Sequence, residues 1–209
     1  MVRQHVNPLS RFFQLPLELP APAELFADPQ LPIHLDIGCA RGRFLLALAQ
    51  EQPAVNHLGV EIRRALVQAA EADRQALALG NLHYLFCNAN VSLQAWLAAL
   101  PAGQLDLVSI QFPDPWFKKK HHKRRLIQSD FVRQLSARLR PGGCLHLATD
   151  WAPYVEHMFD VLEAEPTLLN THGTRAAVSR PDYRPLTKFE ARGERLGHGV
   201  WDLMYHRQR

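Results

Sequence analysis

From residue 31 onward, short apolar runs alternate with amphipathic stretches. LPIHLDI (31–37), AVNHLGVEI (54–62), NLHYLFCNAN (81–90), LDLVSIQF (105–112) and CLHLATD (144–150) read as strands. RFLLALAQEQ (43–52), RRALVQAAEADRQALALG (63–80), VSLQAWLAAL (91–100), SDFVRQLSARL (129–139) and WAPYVEHMFDVLEAE (151–165) carry apolar positions at helical spacing. Gly80 is expected to close the helix over 63–80, Ser129 to cap the helix over 129–139, and PGG (141–143) to turn the chain into the next strand. PTLLNTHG (166–173) and GVWDLMYHR (199–207) are two further strand candidates. Such alternation implies an α/β fold, a mostly parallel sheet with helices on both faces. Residues 1–30 precede it as an arm with prolines at 8, 16, 20, 22 and 29, where regular structure is not expected. Two roles suit the arm: a mobile tail, or an anion contact through Arg3 and Arg11. That leaves 31–209 as one domain, and 209 residues with 47% hydrophobic content suffice for one sizeable core.

Charge sharpens the picture because it is unevenly spread. Residues 1–111 hold seven Arg, no Lys and nine acids, whereas 112–141 hold nine bases and two acids. Residues 142–174 carry five acids and no Lys or Arg, and 175–209 carry eight bases and four acids. The net charge of +4 therefore conceals two basic blocks, which attract polyanions. Cys39, Cys87 and Cys144 are far apart and lack zinc-ligand spacing, so reduced thiols and a cytosolic setting are expected. No apolar signal core or membrane-length run is present. His34, His83 and His146 fall in strand-like stretches and read as packed side chains rather than metal ligands. Nothing in the pattern separates a monomer from a homodimer.

In parallel sheets ligands sit beyond the carboxyl ends of the strands. Asp36, Glu61, Asn88, Asp114 and Asp150 each end a strand or begin the loop after it. DIGCARGRF (36–44) places Gly38 and Gly42 in a strand-to-helix turn, where glycine serves either tight geometry or close approach to a ligand. Glu61 lies 19 residues beyond Gly42, a position from which an acid accepts both hydroxyls of an adenosine ribose; capping the next helix is its other role. Asp36, Glu61 and Asp114 together repel a pyrophosphate and favour a cation. S-adenosylmethionine, with an ammonium, a sulfonium and no phosphate, suits them better than NAD. Asn88 falls near the expected adenine edge, its amide able to donate or accept.

FPDPWFKKKHHKRR (112–125) locks Asp114 between two prolines, ahead of six Lys or Arg and two His. With LRPGGCLHLATDWAPY, RPLTKFEARGERLGHGVWDLMYHR and RQHVNPLS, this stretch resembles the bacterial tRNA (guanine-N7-)-methyltransferases over nearly the whole chain. The resemblance implies a Rossmann-like class I methyltransferase fold with a final antiparallel strand in a seven-stranded sheet. It also implies S-adenosylmethionine as donor and tRNA as acceptor, methylated at the variable-loop guanine, nucleotide position 46. By motif position, Asp36, Gly38, Glu61, Asn88 and Asp114 would line the cofactor site. Lys118, Asp150, Thr187, Lys188, Phe189 and Glu190 would bind the substrate, and Lys120, His121, His122, Lys123, Arg124 and Arg125 would contact RNA. Two positions depart from the family pattern. Ala40 stands where glycine is usual and asks for negative φ there. Asn88 stands where aspartate is frequent, keeping an acceptor but dropping a charge.

Guanine N7 has a lone pair and no proton to lose, so the expected chemistry needs alignment rather than a strong base. Asp114 is the expected catalytic residue: a preorganised carboxylate accepts from guanine N1–H or N2–H₂ and stabilises charge growing on the ring. Trp116 and Phe117 read either as base-stacking rings or as loop packing. Asp150 fits substrate contact or a helix cap, and Glu190 fits ligand contact or a loop ion pair. An NAD-dependent oxidoreductase, a non-catalytic RNA-binding protein and a methyltransferase for another nucleic acid are the rival readings.

Overall fold

The computed structural model describes residues 6–186, 190–191 and 199–208. Seven strands form one sheet: β1 (Ile33–Ile37), β2 (Asn56–Glu61), β3 (Leu82–Phe86), β4 (Leu105–Gln111), β5 (Leu139–Thr149), β6 (Leu168–Leu169) and β7 (Trp201–Arg207). Their order is β3-β2-β1-β4-β5-β7-β6. The first five are mutually parallel, and β7 runs antiparallel to both its neighbours. Reversal of strand order beside β1 opens a crevice at the carboxyl ends of β1 and β4, where the sequence placed its acids.

The helices are α1 (Pro22–Leu25), α2 (Arg43–Glu51), α3 (Arg64–Ala76), α4 (Ala89–Ala99), α5 (Ser129–Arg138) and α6 (Ala152–Glu163). Alternation along β1 explains the two layers. Ile33, Leu35 and Ile37 join the larger core with Leu93 and Trp96 of α4, Phe131 of α5 and Met158 of α6. Leu82 and Tyr84 of β3 pack instead with Leu45 of α2 and Val67 of α3. On that α2 side of the sheet, beside the smaller core, lies a polar seam that the strand patterns did not reveal. His34 and His57 meet at 5.5 Å between ring centroids, Ser109 bonds His34, and His146 bonds Tyr183 and Asp202. Burial pushes His34 well below its ordinary pKa and His57 down to about 4, so both rings are neutral.

Several local expectations are corrected. Helix α3 stops at Ala76, because Ala78 turns left-handed (φ +51°) before Gly80 is reached. Gln128, not Ser129, occupies the N-cap of α5, and it makes no side-chain capping bond. PGG lies within β5 rather than ahead of it. The arm is not devoid of regular structure. A 3₁₀ turn covers Arg11–Gln14, and Pro22 opens α1, where its missing N–H is no loss. Nor does it hang free: Leu17 N–H donates to Ser92 Oγ (3.1 Å), and Trp96 Nε1–H donates to Pro20 O (3.0 Å). No helix among the described residues is long and apolar enough to cross a membrane.

Candidate active site

The carboxyl ends of β1, β2 and β4 open into one cavity of about 580 Å³. Asp36, Gly38, Glu61, Asn88 and Asp114 all line it, together with Arg63, Trp116, Arg124 and, from the arm, Val6 and Pro8. The five residues expected around a cofactor thus share one pocket.

The turn between β1 and α2 sets its floor. Gly38 (φ +84°) has open space where a Cβ would stand, leaving its backbone accessible to a ligand. Gly42 (φ +71°) is glycine for another reason: a Cβ would overlap the Tyr84 ring, whose hydroxyl donates to Gly42 O at 2.6 Å. Ala40 does not keep the negative φ expected of it. It sits at φ +51°, a left-handed conformation costing an alanine about 1 kcal/mol, while its N–H donates to Glu61 Oε2 (3.0 Å).

Asp36 is buried and accepts a hydrogen bond from Ser109 Oγ at 2.6 Å. Because that hydroxyl gives its proton to Asp36, His34 Nε2 donates to Ser109 Oγ (2.8 Å). Burial, with a smaller push from Glu61, raises the Asp36 pKa to about 7 against the opposing Ser109 bond. The site therefore holds a carboxyl poised to ionise when a cation arrives.

Glu61 is fully engaged within the chain. Oε1 accepts from Arg63 N–H and Nε (3.0 Å each), and Oε2 accepts from Arg63 Nη2 at 3.0 Å besides Ala40. It fixes the turn and pairs with a pocket-lining guanidinium, so neither expected role describes all of it. Asn88 is also committed: Nδ2 donates to Pro8 O (3.1 Å) and Phe13 O (3.0 Å) of the arm. Only its carbonyl oxygen is left to face a ligand. Asn88 precedes α4 at the N-cap but makes no side-chain capping bond.

Asp114 sits at the crevice between two left-handed aromatics, Phe112 (φ +49°) and Trp116 (φ +44°). Such angles strain bulky residues and persist only where surroundings impose them. Phe112 N–H is held by Ala148 O at 2.8 Å, Pro115 O accepts from Arg125 Nε at 2.8 Å, and the Arg124 guanidinium lies 4.9 Å over the Trp116 ring. The two prolines restrict the loop, and these contacts bring its carboxylate to the pocket.

The basic run folds as a 3₁₀ helix, Lys119–Arg124. Lys118, Lys119, Lys120 and Lys123 are exposed, and His121 and His122 are half-buried. Desolvation, followed by repulsion from nearby lysines and arginines, lowers the pKa of both histidines. Arg125 departs from its expected RNA role. It is buried, donates to Pro115 and lies 4.7 Å from the Tyr154 ring, so it braces the loop from inside. Lys118 and Asp150 lie outside the cavity lining. Asp150 is no cap either, since Trp151 holds the N-cap of α6. Thr187, Lys188 and Phe189 fall outside the described residues. Glu190 is buried and pairs with Arg184 at 2.7 Å, while Arg184 also grips Asp202 through two 2.9 Å bonds. The ion-pair reading of Glu190 therefore fits better than direct ligand contact.

Sequence reasoning missed Arg63, Ser109 and Trp151. Arg63 carries a local signal, an arginine two residues past a strand-end glutamate. Trp151 meets Phe117 edge to face at 4.8 Å, and the two rings are 39% and 62% exposed. They stand beside the pocket because the ends of β4 and β5 are paired, Gln111 opposite Ala148.

Comparison with known proteins places the chain among methyl-transferring enzymes. A family model described as "Putative methyltransferase" matches residues 30–203. A tRNA (guanine-N(7)-)-methyltransferase of Synechococcus sp. (strain WH7803) is 52% identical over 213 residues, spanning 100% of this chain and 88% of the relative. One of Synechococcus sp. (strain CC9311) is 65% identical over 162 residues, 78% of this chain and 68% of the relative. Among solved structures, the 16S rRNA methyltransferase KamB superposes with TM-score 0.58 at 16% identity, covering 86% of this chain and 90% of that one. TrmN from Thermus thermophilus gives 0.57 at 17% identity, covering 85% and 44%. At such identities the structural likeness shows the fold, a class I methyltransferase sheet.

Proposed function

The chain belongs to the tRNA (guanine-N7-)-methyltransferases, and on that premise we propose that it methylates N7 of the variable-loop guanine, position 46, of tRNA. The methyl donor is S-adenosylmethionine. The observation carrying this reading is the convergence of Asp36, Glu61, Asn88 and Asp114 on one cavity below an exposed lysine cluster.

The residues present fit the donor. About 580 Å³ is within the usual range for small-molecule sites. Asp36 and Asp114 offer negative charge to an ammonium and a sulfonium, and Gly38 leaves room for close backbone approach. Glu61 is the group for ribose hydroxyls once Arg63 withdraws, and the Asn88 carbonyl is an acceptor for an amino group on adenine. When bound, S-adenosylmethionine supplies a methyl carbon activated by positively charged sulfur.

The chain's own work is positioning. Asp114 accepts from guanine N1–H or N2–H₂, which selects guanine over adenine and turns N7 toward the donor. As N7 shares its lone pair the ring gains positive charge, and a carboxylate fixed beforehand by Pro113 and Pro115 stabilises it. No proton leaves N7, so no base or metal is required for this step. Lys118 and Asp150, with Thr187, Lys188 and Phe189, are proposed substrate contacts around the mouth. Phe117 and Trp151 offer exposed aromatic faces to an unstacked base. Lys120 and Lys123 lead the RNA contacts, with His121, His122 and Arg124 behind them. The setting proposed is the cytoplasm.

Incubation with methyl-labelled donor and unmodified tRNA, followed by mapping, tests this reading. Label on N7 of guanine 46 is expected; label on another atom or base, or none, overturns it.

A further inference from the structure

We propose that Asn88 is a latch: it holds the N-terminal arm as a wall across the adenosine end of the pocket, and so controls cofactor retention. The inference rests on the cofactor site proposed above and adds a positioning role for Asn88.

The geometry is specific. Asn88 stands two residues past β3, at the N-cap of α4 and the pocket rim, and is buried at 8% exposure. Both hydrogens of its amide are spent on arm carbonyls, Pro8 O at 3.1 Å and Phe13 O at 3.0 Å. Only a donor can face two carbonyl oxygens. An aspartate here would set a carboxylate against both, repelling what asparagine holds. Pro8 O also accepts from Gln14 Nε2 (2.8 Å), closing the arm into a compact loop. Further along, Leu17 N–H is held by Ser92 Oγ, one turn into α4. The consequence lies in the pocket wall: Val6 and Pro8 line the same cavity as Asp36 and Glu61. Phe12 and Leu15 are 63% and 62% exposed, so these apolar side chains do not bury the arm there, and the hydrogen bonds carry more of its docking.

A wall held by the arm makes ligand binding and arm docking reciprocal: whatever loosens one loosens the other by the same factor. Two variants separate a latch from a base reader. Asn88→Asp removes both donors. Ser92→Ala removes the acceptor for Leu17 at a side chain that does not line the cavity. Each is measured twice on the full chain, by calorimetric binding of S-adenosylhomocysteine and by the rate of tryptic cleavage after Arg11. For Asn88→Asp the expected outcome is a loss of affinity of about tenfold and cleavage faster by about the same factor, the scale of two lost hydrogen bonds. Ser92→Ala should move both readouts in the same direction by a smaller factor, about threefold. In the wild type, saturating S-adenosylhomocysteine should slow cleavage after Arg11. If Asn88→Asp weakens binding while cleavage is unchanged, or Ser92→Ala changes neither readout, Asn88 acts on the ligand directly and the latch is wrong. Absence of S-adenosylhomocysteine binding by the wild type would instead remove the cofactor site itself, a distinguishable failure.

Discussion

Replacing Lys118, Lys119, Lys120 and Lys123 together with alanine separates a docking surface from a merely solvated one. All four are exposed on one short segment beside the pocket mouth. If each neutralises one phosphate, each contributes about 0.9 to the slope of log affinity against log salt, so the variant should lose about 3.6. Over a fourfold rise in salt the wild type should then shed about a hundredfold more affinity than the variant. Arg125→Ala is the internal control. Its guanidinium is buried, bonded to Pro115 O and packed on Tyr154. That variant should keep the wild-type slope and lose on the order of 2 kcal/mol of stability, because a charge-assisted hydrogen bond is broken in the interior. Anisotropy titrations of labelled tRNA at several salt concentrations, with thermal melts, measure both. An unchanged slope in the fourfold variant, or equal flattening by Arg125→Ala, would refute the reasoning.

Asp114→Ala should lower turnover by at least a hundredfold while tRNA affinity stays within about threefold, because the carboxylate acts on the aligned base and not on the phosphates; full single-turnover activity would remove its role. Affinity for S-adenosylmethionine should rise about tenfold per pH unit below 7 and level off above it, since burial holds Asp36 protonated up to about 7 and only its ionised form pairs with a cation. For the ligand-free chain the sign is opposite. Asp36 binds its proton more tightly folded than at the ordinary 3.8, so that stabilisation is complete below about 4 and is lost as pH climbs to about 7. Calorimetry across pH 5.5–8.5 and acid-to-neutral melts read the two trends, and a flat binding profile excludes Asp36 as the titrating group. Ala40→Gly should raise stability by about 1 kcal/mol, a few degrees in melting temperature, by relieving the left-handed alanine at φ +51°; an unchanged or lower melting point would show that the turn is not strained.

The sheet was legible because each strand is a short apolar run and each helix repeats at its own spacing, and those periods survive tertiary packing. The strand-end acids were legible for a related reason, since strand order alone decides where a ligand can enter. Partnerships were harder to read. Glu61 looks like a free acid along the chain, yet its nearest cation is only two residues away. Arg125 looks like one more base in a run, but the sidedness of a 3₁₀ turn is invisible in a string of like charges. Asn88 looks like a cofactor contact because its partners are carbonyls 75 and 80 residues earlier, and backbone oxygens leave no mark on a sequence. The arm's prolines argue against regular structure along the chain, whereas Pro22 starts a helix and Pro8 and Pro20 lend their carbonyls to α4 and its cap. At residue 40 steric preference was outweighed by the hydrogen bond that Ala40 gives to Glu61.

The grip of Arg63 on Glu61 makes the resting chain its own competitor. On the proposed binding mode, a ribose reaching that carboxylate would not fill a vacancy; it would evict a tenant that stays tethered two residues away. Capture would then be an exchange that gives up a charge-assisted ion pair for hydroxyl hydrogen bonds, and the displaced guanidinium would wait within reach to reclaim its seat once the spent nucleoside loosens.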